Sequence, residues 1–178
     1  LLQEGPAGQQ QELGIIRPGL QQLRQHGVGL RESPLSQQGM NLFFGQAQCG
    51  VCHNPVTNGS FFSETFANIG LDANPADKGL GANQPGMDGM FKIPSLRNIT
   101  LTAPYMHDGR FATLREVVDH YSDKIENAEN LHWTLRGFDG QALRMNLSDS
   151  DKEALVAFLG ALTDDHFTSD PKFSDPFK

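Results

Sequence analysis

The chain has 178 residues, 38% of them hydrophobic, and a net charge of −7, which suits one folded domain with or without an extended arm and argues against wholesale disorder. Its pI near 5.2 leaves no basic footprint for nucleic acid or an anionic membrane surface and favours basic partners and cationic redox proteins. No apolar run approaches the roughly 20 residues that span a bilayer. The opening Leu1-Leu2-Gln3-Glu4-Gly5 lacks the basic and apolar regions of a signal peptide, so the chain reads as mature or as cut from something longer.

Residues 1–35 are Gln-rich and poor in aromatics. A short helix is expected from Pro18 to about His26, stopped by Gly27. The segment is read as an N-terminal arm or interdomain linker. A second helix is expected from Ser36, as N-cap, to about Gln48, with Met40, Phe43, Phe44 and Ala47 at helical spacing. Residues 54–92 read as mostly loop, punctuated by Asn54-Pro55, Asn58-Gly59, Asn74-Pro75 and several glycines. A loop of that length is functional or disordered, and wrapping a bulky cofactor is one way to order it. The box Thr113-x-x-Glu116 opens a third helix with Leu114, Val117, Val118 and Tyr121 on one face. Ser148-x-x-Asp151 opens the last, with Leu155, Phe158, Leu159 and Leu162 as its stripe. The polar 164–178 reads as a surface tail. No strand pattern stands out, so the expected fold is all-α, a helical domain over residues 36–163 with long loops.

The only two cysteines lie in Cys49-Gly50-Val51-Cys52-His53. This is the C-x-x-C-H pattern of c-type haem attachment. Two thiols three apart at the end of a helix can each form a thioether with a porphyrin vinyl, and the next residue offers its imidazole to the iron. A thioredoxin-like pair would want a βαβ context, and a structural zinc site would want a second knuckle. Neither is present in the sequence. One motif implies one covalently attached haem c with His53 as proximal ligand. The opposite axial position has open candidates in Met106, His107, His120, Tyr121 and Met145, with Met87 and Met90 in the loop. A Met there raises the potential, a phenolate lowers it, and an empty position admits ligands.

Two blocks, Phe91-Lys92-Ile93-Pro94-Ser95-Leu96-Arg97-Asn98 and Thr102-Ala103-Pro104-Tyr105-Met106-His107-Asp108-Gly109, carry a family likeness. With Phe66-Ala67-Asn68-Ile69-Gly70-Leu71, Thr113–Val118 and Leu155–Leu159, they make the chain resemble the C-terminal haem domain of the bacterial di-haem cytochrome c peroxidase and MauG superfamily. The likeness covers roughly 36–163. It implies a cytochrome c-like fold with haem-wrapping loops, a periplasmic setting, and a partner domain whose haem reacts with peroxide. It also implies a six-coordinate haem here that takes in or stores electron equivalents. Tyr121, fourteen residues past His107, stands where the peroxidases have a Met ligand and MauG-like members a Tyr. The likeness therefore ranks Tyr121 first as distal ligand and Met106 second. It further implies a calcium ion held by backbone carbonyls of Thr102 and Pro104, a propionate partner in Arg97, and a hydrogen bond from His107 near the haem edge. His120 is left without a role, facing away from Tyr121.

The chain departs from that family in having no second C-x-x-C-H. The functional expectation is the electron-transferring half of a peroxidase or MauG-like oxidoreductase, working with a second haem domain and a redox protein donor. The alternatives are a free-standing monohaem cytochrome c carrier and a subunit of a larger redox complex.

Overall fold

The computed structural model describes residues 33–53, 65–175 and 177. The arm helix expected near Pro18 and most of the 1–35 segment lie outside the described residues, as does 54–64. Helix α1, Pro34–Phe44, begins where Ser33 and Ser36 cap each other reciprocally, with Pro34 in the first turn. The N-cap is therefore Ser33, and Ser36 is the third helical residue, buried rather than capping from outside. The helix ends at Phe44 with Gly45 as its C-cap, short of the expected Gln48.

Helix α2, Leu114–Asp119, starts at the expected Thr113/Glu116 box. It continues without a break into a π turn, His120–Lys124. Helix α3, Asp149–Ala161, starts at the Ser148/Asp151 box. The tail is less passive than expected. Asp164 caps a short helix α4, Asp165–Ser169, and is itself buried.

The expectation of an all-α chain is corrected by a small sheet. Strands β1, Phe66–Ala67, and β2, Phe91–Lys92, pair antiparallel, Phe66 with Lys92 and Ala67 with Phe91. Strands of two residues carry no period to read from sequence. They form because the 68–90 loop is pinned at its base. Asn68, buried, donates from Nδ2 to the Asp88 carbonyl (3.0 Å) and to Asn130 Oδ1 (2.8 Å), and its Oδ1 accepts from the Gly70 amide (2.9 Å). Gly70 has φ +65°, and a Cβ there would lie 2.5 Å from the Glu126 carbonyl oxygen, so only glycine fits.

α1 crosses α3 at Gly39, where an added Cβ would lie 1.8 Å from the Ala154 carbonyl oxygen. Phe43 and Phe158 meet beside that crossing, with ring centroids 5.1 Å apart. Met40 and Phe43 of α1, Leu155, Phe158 and Leu159 of α3, and Leu114 and Val118 of α2 join Leu96, Tyr105 and Leu147 in the main core. A smaller cluster of Ile125, Ala128, Leu131 and Ala142 lies beyond the π turn.

Candidate haem site

The chain leaves α1 through the turn Gly45–Ala47 and enters a 3₁₀ turn, Cys49–Val51, whose preceding residue Gln48 is left-handed (φ +52°). The amides of Cys52 and His53 both donate to the Cys49 carbonyl, at 3.2 and 2.9 Å. One tight turn thus fixes both cysteines and the histidine. The thiols are not joined as a disulfide, and both are half-buried. Burial pushes the Cys49 thiol up to about 12. Burial also raises Cys52, against the opposing effect of the Thr134 hydroxyl, which reaches its sulfur.

Tyr121 is brought near this turn by the segment His120–Lys124. The 3.6-residue period places it on one face with Leu114, Val117 and Val118. In the structure those three residues belong to the main core, whereas Tyr121 packs on the second cluster. The π turn causes the difference, because i→i+5 closure takes one more residue per turn and rotates the residues after it. Ser122, fully buried, drives it: its carbonyl accepts from Met145 and Asn146 (2.7 and 3.1 Å) and its Oγ from Leu147 (2.9 Å).

Tyr121 lies close enough to Cys49 and Cys52 that negative charge on either sulfur would raise its phenol, which burial already pushes well above its ordinary value. The hydroxyl makes no hydrogen bond among the described residues. The residue is half-buried, and its hydroxyl keeps some contact with solvent; a cation beside it would favour its loss of a proton.

These residues fit a haem c. The thiols are free, the imidazole follows them directly, and the half-buried Tyr121 lies near them. The surface beside them is apolar. Val51, between the cysteines, is 53% exposed, and Trp133, next to Thr134, is 73% exposed. Such a surface suits a bulky planar group. The 131–140 loop that carries Trp133 and Thr134 is held by Arg136, which donates to the carbonyls of Ala128, Glu129, Leu131 and Gly140.

Arg97 bonds Asp164 at 2.5 Å, so a propionate would have to share its guanidinium. Met106 takes a left-handed φ of +72° and belongs to neither apolar cluster. His107 is exposed and stacks on Phe91, centroids 3.7 Å apart. Thr102 and Pro104 are exposed, and no donor among the described residues reaches their carbonyls. His120 does not turn away from Tyr121. The rings meet edge to face at 5.2 Å while Nε2 of His120 donates to the Ile69 carbonyl at 3.0 Å. Thr134 and Ser122 are not recognisable from sequence, because nothing local to either marks a contact across the fold.

No protein-family model matches the chain. The methylamine utilization protein MauG of Methylorubrum extorquens is 35% identical over 131 residues, covering 71% of this chain and 34% of that protein. A cytochrome-c peroxidase of Denitromonas iodatirespirans is 30% identical, covering 80% of this chain and 44% of that protein. The crystal structure of a MauG-like protein associated with microbial copper homeostasis superposes with a TM-score of 0.72 at 34% identity, covering 83% of this chain and 49% of that one. The di-haem peroxidase BthA of Burkholderia thailandensis, 23% identical, covering 75% of this chain and 43% of that one with a TM-score of 0.56, shares the fold. With these relatives matched over most of its length, the chain belongs to the MauG and cytochrome-c peroxidase family, of whose members it spans less than half.

Proposed function

We propose that residues 36–163 form a cytochrome c-like, c-type haem electron-transfer domain of a di-haem peroxidase or MauG-like oxidoreductase. In this reading 1–35 connects it to a second haem domain, 164–178 is a tail, and the setting is periplasmic. Cys49 and Cys52 hold one haem c through thioethers, His53 is the proximal ligand, and Tyr121 the distal one. A bound haem supplies one-electron exchange at its iron, between a redox protein donor and the peroxide-reactive haem of the partner domain. Within this chain Tyr121 would keep peroxide from the iron, and the Ser122 anchor would hold it in that role. Thr134 reaches Cys52, and the exposed Trp133 next to it offers an apolar face to the bound group. Arg97, shared with Asp164, is the propionate partner, and the exposed carbonyls of Thr102 and Pro104 suit a hard cation such as calcium.

The observation that carries this reading is the single tight turn that sets two free thiols and His53 together, with the half-buried Tyr121 near both cysteines. Met106 is the second choice, and the Tyr121→Phe variant separates the two. In the haem-loaded chain, equimolar hydrogen peroxide should leave the ferric absorption spectrum unchanged. Tyr121→Phe should make the spectrum respond within seconds and raise the reduction potential. A rapid response in the parent chain would mean an open iron and an enzyme in its own right. The single C-x-x-C-H favours a second reading, a monohaem carrier. Peroxide turnover that appears only when a second haem domain is supplied would decide against it.

A further inference from the structure

The π turn that carries Tyr121 is tied down on every side except at the phenol. His120 holds Ile69, and Ser122 holds 145–147. The remaining side faces α3, where Lys152 stands on the otherwise apolar face with Leu155 and is only 8% exposed. A lysine that inaccessible needs paired charge. Its Nζ lies 2.9 Å from Asp119 Oδ1 and 3.3 Å from Asp123 Oδ2. Those two carboxylates flank Tyr121 at two residues on either side. Arg115 holds Asp119 as well (3.2 Å) and reaches across to Asp149 at the start of α3.

We propose that Lys152 is a positioning residue for Tyr121: by holding Asp119 and Asp123 together it fixes the rotation of the π turn that aims the phenol at Cys49 and Cys52. The proposal rests on Tyr121 being the iron ligand. One ammonium shared by two carboxylates four residues apart sets both the rotation of the turn and its distance from α3. Without it the carboxylates repel each other, and the turn gains the freedom to relax toward ordinary helical closure. That relaxation rotates Tyr121 out of the position it holds on the second apolar cluster and so changes where the phenol points. Ser122, His120 and the Arg115–Asp119 pair still hold the turn, so a partial loss of ligation is expected rather than a complete one.

The test uses the haem-loaded chain with Lys152→Met, Asp123→Asn and Tyr121→Phe. Ferric absorption and electron paramagnetic resonance are recorded at a temperature where circular dichroism shows parental helix content. Tyr121→Phe should abolish the tyrosinate charge-transfer band. Lys152→Met should lose part of that band and gain high-spin ferric signal, and Asp123→Asn should do the same to a smaller extent. A parental band in Lys152→Met, with Tyr121→Phe lacking it, overturns the positioning role and leaves the ligand reading intact. A parental spectrum in Tyr121→Phe overturns both. If Lys152→Met does not fold or load haem, Asp123→Asn decides alone, a reduced band supporting the role and a parental band overturning it.

Discussion

Asp164 is almost inaccessible, yet it is charged. Its Oδ1 accepts from the Phe167 amide at 3.0 Å, and its Oδ2 accepts from Arg97 at 2.5 Å. The Phe167 amide, then Arg97, hold its carboxyl below the ordinary value. A lowered folded-state value means a stability contribution that is complete above the unfolded-state value of about 3.9 and is lost as pH falls through the folded one. Asp164→Asn should therefore cost about 2 kcal/mol at neutral pH, with the gap to the parent closing below about pH 4, read by urea unfolding at each pH. Residue chemistry of this kind is half legible in the sequence. Cys49, Cys52 and His53 announce themselves by spacing, because their chemistry needs them on one turn. Arg97 does not announce Asp164, 67 positions away, because an ion pair across the fold has no local signature.

The helices owe their starts to short-range chemistry. Ser33, Thr113 and Ser148 each accept from the amide three residues on, and the third residue's side chain reaches back. The boxes at Thr113 and Ser148 are legible because a hydroxyl and a carboxylate three apart are recognisable. The Ser33/Ser36 box is ambiguous in sequence, since two serines can exchange the capping and third positions on paper, and Ser36 is not the cap expected of it. How the helices pack is less accessible. Gly39 sits mid-helix, where glycine costs stability, and only the crossing with Ala154 explains it. Gly39→Ala should destabilise the chain by about 3 kcal/mol or more, seen as a lower urea midpoint with an unchanged slope. A result within about 0.5 kcal/mol of the parent would mean the helices cross elsewhere. The π turn is invisible in sequence for a related reason. Its cause is the demand of the 145–147 segment on the Ser122 carbonyl, not any preference of His120–Lys124.

The whole molecule sets two apolar clusters side by side, with Tyr121 at the edge of the second and Cys49 at the edge of the first. The net charge of −7 surrounds that arrangement. Electron transfer from a cationic redox donor to the haem-loaded chain should therefore slow steeply as ionic strength rises past about 0.1 M. A rate indifferent to salt, measured by stopped-flow reduction, would show that charge does not steer the encounter. By itself the sequence determined the chemistry that is local in the chain: the thiol–imidazole turn, the starts of α2 and α3, the apolar stripe of α3 and the acidic balance. Each depends on residues within a few positions of one another, where spacing is geometry. Only the tertiary structure decided which face Tyr121 presents, that Thr134 meets Cys52, that Arg97 is taken by Asp164, and that Lys152 joins Asp119, just before the π turn, to Asp123 within it. Those contacts join distant segments, and their energies depend on burial and on the demand for hydrogen-bond partners, which exist only once the chain has closed around its core.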